Sequence, residues 1–180
     1  MGHRKLAIAA VVVGAAGFTG AAIAGGHGRH FDTDMSGYEE VPAISTTGNG
    51  EARASINRAG SEIRYVLRYR NLEAAPTQAH IHFGAERTAG GISVWLCDSP
   101  TNPSPRETTP ACEPSPATIT GTLTADDVVG PAGQGIAPGE FTELVRAMRA
   151  GVTYANVHSA KFPGGEIRGQ LDREGHGHDD

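Results

Sequence analysis

Between Glu62 and Arg70 the apolar positions Ile63, Tyr65, Leu67 and Tyr69 alternate with Glu62, Arg64, Arg68 and Arg70. A period of two belongs to a strand with one face in a core and the other in water. Ala52, Ala54 and Ile56 repeat the pattern against Glu51, Arg53 and Ser55, and Arg58-Ala59-Gly60-Ser61 predicts the turn between the two strands. Shorter runs at 77–83, 91–97, 117–124, 152–159 and 165–171, set apart by Gly/Pro-rich breaks, predict further strands. Phe141, Leu144, Val145 and Met148 instead fall at helical spacing, with Pro138 ahead and Gly151 behind. Glu140 and Glu143 lie at the start of this helix and Arg146 and Arg149 at its end, the order that the helix dipole favours. Thr124 is placed to cap a short helical turn before Asp126-Asp127. Many short strands and one helix predict an all-β fold, an antiparallel β-sandwich or barrel whose short helix covers one end or face of the sheet.

The N-terminus obeys a different pattern. His3-Arg4-Lys5 precedes an apolar run from Leu6 to Ala16, and Ala22-Ile23-Ala24 supplies the small residues of a cleavage site. This is the pattern of a signal peptide over residues 1–24, too short for an ordinary membrane span. The reading that follows is a disordered Gly/His linker at 25–30, one domain at 31–172 and a disordered His/Asp tail at 173–180. Loss of Arg4 and Lys5 would leave 13 basic against 20 acidic residues. That balance argues against nucleic acid and anionic membrane surfaces, and no later apolar run predicts a membrane span after cleavage.

Two cysteines remain, Cys97 and Cys112, and in an exported chain an isolated pair predicts one disulfide. Closing a loop of about 15 residues contributes ~3 kcal/mol in the chain-entropy model. Six of the eleven prolines lie in or beside that loop, which predicts a long surface segment rather than a ladder or helix. Trp95 shares parity with Cys97, and the disulfide loop is expected to fold over it as a small satellite core.

Several short motifs carry a family resemblance. Glu40-Val41-Pro42, Ala79-His80-Ile81-His82, Asn156-Val157-His158 and Gly165-Glu166-Ile167-Arg168-Gly169-Gln170 stand in the order and spacing of the CHRD domain. That module is named after chordin and is also found in secreted bacterial proteins, and the resemblance runs from Phe31 to Leu171. It implies an immunoglobulin-like β-sandwich with weak similarity to copper/zinc superoxide dismutase, and no established chemistry. Residues 97–116 depart from a minimal domain, so transfer is least secure there.

Strand parity gathers the polar residues of these motifs. His80 and His82 share one face of their strand, Tyr154, Asn156 and His158 one face of the next-to-last, and Glu166, Arg168 and Gln170 one face of the last. If the three strands are neighbours, the result is a polar network containing three imidazoles. It has two readings. His80, His82 and His158 suit zinc or copper, with Glu166 or Asn156 orienting an imidazole from behind. Alternatively the side chains satisfy one another and close the end of the sandwich. A dismutase-type pair of metals needs more imidazoles than these three, since His3, His27, His30, His176 and His178 fall in the leader and tails. Cleavage after Ala24 would expose Gly25-Gly26-His27, whose amine, amides and imidazole can form a square plane of nitrogens for Cu(II) or Ni(II).

The expectation from sequence is therefore a secreted, non-catalytic module that serves as an extracellular binding or structural unit, its partner an unknown extracellular protein or surface component. The alternative is a copper or zinc protein, or a small redox enzyme, built on His80, His82 and His158.

Overall fold

The computed structural model describes residues 29–173; the expected leader, His27 and most of the C-terminal tail lie outside them. Nine strands run in chain order as β1 (His30–Ser36), β2 (Asn49–Ile56), β3 (Ile63–Arg70), β4 (Pro76–Phe83), β5 (Gly91–Cys97), β6 (Ala117–Leu123), β7 (Thr153–Ser159), β8 (Ile167–Gln170) and β9 (Asp172–Arg173). The helix α1 (Phe141–Arg149) lies between β6 and β7. They form one sheet in the order β5-β4-β7-β8-β1-β2-β3-β6, with β9 beside β1 and every pairing antiparallel. The end strands β5 and β6 approach each other, so the sheet is a nearly closed barrel. Across that seam the Tyr65 hydroxyl donates to the Leu96 carbonyl at 2.7 Å. Gly121, opposite Tyr65 on β6, makes the crossing possible, because a Cβ there would sit 2.5–2.7 Å from the Tyr65 ring and hydroxyl.

The alternating segments became strands because only one of their faces has a core to bury. Ala52, Ala54 and Ile56 of β2 and Ile63, Tyr65, Leu67 and Tyr69 of β3 point inward together, in register from Asn49 opposite Arg70 to Ile56 opposite Ile63. Their turn is held by the Asn57 side-chain oxygen, which accepts from the Ser61 amide, and by Gly60 at φ +73°. Phe141, Leu144, Val145 and Met148 of α1 are buried against the same core. Each such side chain removed from water contributes about 1.5–3 kcal/mol. Gly151, at φ +69°, ends the turn after the helix, a conformation that favours glycine. Asp127 accepts from both the amide and the hydroxyl of Thr124, which fixes the 3-10 turn Ala125–Asp127.

Strand β1 has no counterpart among the elements predicted above. Only Phe31 and Met35 of its seven residues are buried, and the acids between them obscure the alternation. It starts at His30, inside the segment assigned to a linker, and at the other end Arg173 pairs with Phe31. His30 is exposed there and stands outside the imidazole group described below.

Cys97 and Cys112 form a disulfide. The segment beyond it returns alongside β5 through the Asp98–Ala111 bridge and the bond from the Cys112 amide to the Asp98 carbonyl. Trp95 is half-buried; one side of it meets His80, and it lines a groove with Arg106, Thr109 and Pro110 of the disulfide loop. Among the described residues no helix is long and apolar enough to cross a membrane.

Candidate metal centre

Strands β4, β7 and β8 are consecutive neighbours in the sheet. Register places His80 opposite Asn156 and Asn156 opposite Arg168, with His82 opposite Tyr154 and Tyr154 opposite Gln170 in the next row. Ala79, Ile81, Ala155, Val157 and Ile167 belong to the barrel core. The polar residues therefore stand on the outer face of this wall. That face is nonetheless buried, and every residue of β7 is buried whichever side it points to. Loops roof it over. Gly90 bonds to the Tyr154 hydroxyl, Gly84 and Ala85 accept from Gln170 and Arg168, and the turn at 160–165 leans on His158.

Within this closed layer the imidazoles of His80, His82 and His158 converge, one nitrogen of each lying within 4.8 Å of those of the other two. Two of the rings are fixed in tautomer as well as position. His82 Nδ1–H donates to the Gly90 carbonyl at 2.9 Å, and His158 Nδ1–H donates to the Pro163 carbonyl at 2.9 Å. Both therefore present a bare Nε2. His80 Nδ1 lies 3.2 Å from His158 Nε2. That distance suits a hydrogen bond, and it also matches the ~3.3 Å edge between two nitrogens held about 2.0–2.1 Å from one tetrahedral ion. The Nε2 atoms of His80 and His82 are buried without any hydrogen-bond partner. Asn156 Oδ1, Glu166 Oε2 and Gln170 Oε1, from the same motifs, are likewise buried without a partner.

Aromatic packing locks the rings. The Tyr154 ring stacks on His82 with centroids 4.7 Å apart and planes 3° from parallel. The Arg168 guanidinium carbon lies 3.5 Å from the centroid of that same tyrosine ring. Trp95 stands perpendicular to His80 at 4.3 Å.

Burial is the main cause of the electrostatics. It pushes the His80 pKa down to about 2, with the charges of His158 and His82 adding to the effect. It lowers His82 to about 4, where the Gly90 carbonyl opposes the shift while His158 and Arg168 reinforce it. The His158 pKa is likewise lowered by burial, against the Pro163 carbonyl. All three imidazoles are thus neutral at pH 7, the form that can bind a metal.

The remaining polar residues divide. Asn156 Nδ2 donates to Glu40 Oε1 at 2.6 Å, and burial raises the Glu40 carboxyl to about 7 in spite of nearby Arg168. Glu166 stands apart from the imidazoles: its Oε1 accepts from the Thr46 hydroxyl at 2.7 Å and the Glu73 amide at 2.8 Å. The backbone carbonyls of Gly90 and Pro163 orient the imidazoles, in place of Glu166 or Asn156 as sequence parity suggested. Glu40 is the residue that parity could not place, because it comes from a loop; its one sequence signal was the Glu40-Val41-Pro42 motif. The Gly25-Gly26-His27 proposal concerns residues outside those described.

Residues 31–171 match the family model of the CHRD domain. No curated protein matches the chain.

Proposed function

The chain belongs to the CHRD family, and from that premise we propose that it is an exported, non-catalytic β-module that binds one copper or zinc ion through His80, His82 and His158. The observation that carries this reading is the convergence of one nitrogen from each of three buried imidazoles within 4.8 Å, with the rings of His82 and His158 oriented by backbone carbonyls and His82 Nε2 left without a partner. Neutral imidazoles in such a group suit copper and zinc, and a hydrogen bond at the far nitrogen is the usual way a protein orients a ligating histidine. Export is supported by the leader-like N-terminus and the Cys97–Cys112 disulfide, which persists in an oxidising compartment. A module of this kind would carry or buffer a metal outside the cytoplasm, or use it to hold its outer loops together.

Elemental analysis tests the reading. Protein purified without chelators and then loaded with copper or zinc should retain one equivalent that His82→Ala loses, once His27, His176 and His178 have been replaced to silence the termini. No retained metal, or retention indifferent to His82, would reject the site.

Gly90 offers a milder probe. A Cβ at this position would meet the Phe83 carbonyl oxygen at 1.9 Å, so Gly90→Ala must displace the carbonyl that holds His82. Metal affinity should fall about 10–100-fold, the usual range for losing an orienting partner. Chelator competition measures it, and an unchanged affinity would show that the Gly90 carbonyl does not orient the ligand.

A further inference from the structure

We infer that the ion held by His80, His82 and His158 is monovalent copper, Cu(I), in preference to a divalent ion. This rests on the metal-site reading above and concerns which charge the site accepts.

The argument is one of charge accounting around the three rings. All three ligating groups are neutral imidazoles, and no carboxylate is among them. Neither Glu40 nor Glu166 bonds to an imidazole, although the Glu40 carboxyl, in the same polar layer, acts on Arg168. Glu40 Oε1 is held by Asn156 Nδ2, and Glu166 Oε1 by Thr46 and the Glu73 amide. The charged side chain that does act on the ligands is positive. Arg168 is almost fully buried, lies against Tyr154, and its guanidinium is felt at His82, the ring stacked on that tyrosine. A cation entering here meets three neutral donors, a buried guanidinium and little water, with His80 fully inaccessible and His82 and His158 each 8 % exposed.

The cost of placing an ion in such a medium grows as the square of its charge, so a dication is penalised about four times as heavily as a monocation. A divalent ion would have to recruit an anion, hydroxide for instance, to offset that cost. A monovalent ion needs none. Sodium and potassium prefer oxygen donors, and imidazole suits copper. Of the metals zinc, copper, iron and nickel that imidazole suits, copper is the one with a common singly charged state. The lone tryptophan makes occupancy visible, since Trp95 packs on the His80 ring at 4.3 Å and its fluorescence should respond when His80 takes a metal.

The test uses the full chain with His27, His176 and His178 replaced by alanine, under anaerobic conditions. Cu(I), kept reduced by ascorbate, is shared between the protein and bicinchoninate; Zn(II) is titrated in parallel against a zinc-binding dye. Trp95 fluorescence reports occupancy in both arms. The expected result is one equivalent of Cu(I), lost in His82→Ala, bound on the order of 100-fold or more tighter than Zn(II). Arg168→Gln should narrow that gap by strengthening Zn(II). One His82-dependent equivalent of Zn(II), with Cu(I) no tighter, would overturn the preference for a single charge and leave the metal site standing. Binding of neither ion would overturn both.

Discussion

Replacing His158 by alanine is expected to abolish the chelator-sensitive part of thermal stability that the proposed metal site predicts. In the metal-loaded wild type, an ion that binds the native chain alone adds about 2.7 kcal/mol when its free concentration is 100 times the dissociation constant. For a domain of this size that corresponds to roughly 5–10 °C in the unfolding midpoint. His158 is the ring that meets His80 directly. Its Nε2 faces His80 Nδ1 at 3.2 Å, and its own orientation is fixed by the Pro163 carbonyl. Two imidazoles remain without it, too few to hold an ion against a chelator. The comparison is between midpoints with and without chelator in each protein, so any packing loss caused by the substitution cancels. A wild-type midpoint that does not fall on chelation would contradict the account, as would a variant that still responds.

The metal-free protein should lose stability steeply in acid. His80 and His82 carry folded-state pKa values of about 2 and about 4, below the ordinary 6.5, and His158 is shifted the same way. The unfolded chain therefore binds protons that the folded chain refuses. The contribution of these rings is whole above pH 6.5 and drains away as pH falls from there toward the folded values. His82 alone accounts for about 3 kcal/mol between pH 6.5 and pH 4, at ~1.4 kcal/mol per unit. Glu40 works with the opposite sign. Its carboxyl is raised from 4.5 to about 7, so the folded chain holds that proton more tightly and stability declines as pH rises from 4.5 through 7. Three imidazoles outweigh one carboxyl, which places the maximum near pH 6.5–7. Glu40→Gln should then stabilise the protein at pH 8 by up to about 3 kcal/mol and leave it unchanged near pH 4.5. Denaturant titrations across pH, with chelator present, measure both effects. A maximum near pH 4–5 would contradict them.

Much of this architecture could be read from residue order, and the reasons differ by element. Strands β2 and β3 were legible because one face of each is buried and the other solvated, so their apolar residues alternate cleanly. Helix α1 announced itself by spacing, by its terminal charges and by Gly151. Strand β1 was hidden: with two buried apolar residues in seven, its place in the sheet is decided by partners far along the chain. The polar face was legible for a related reason. Parity put His80 with His82, and Tyr154 with Asn156 and His158, before any neighbour was known; what parity cannot supply is adjacency, and the β4–β7–β8 pairing supplies it.

The contacts that turn a polar row into a candidate metal site came from backbone and loops. The carbonyls of Gly90 and Pro163 belong to segments whose path is set by the roof they form, and no side-chain pattern encodes them. Glu166 shows the converse. It shares parity with Arg168, but it precedes β8 itself, and its carboxylate reaches Thr46 and the Glu73 amide.

X-ray absorption on the copper-loaded chain tests the central claim most directly. Three nitrogens at about 2.0–2.1 Å, with the outer scattering of imidazole rings and no sulfur, are what the convergence of His80, His82 and His158 predicts. That spectrum should collapse when the three histidines are replaced and persist when those of the termini are. A nearest shell dominated by oxygen, or a spectrum unchanged by loss of the three core histidines, would place the metal elsewhere and leave the buried imidazoles without the role assigned to them.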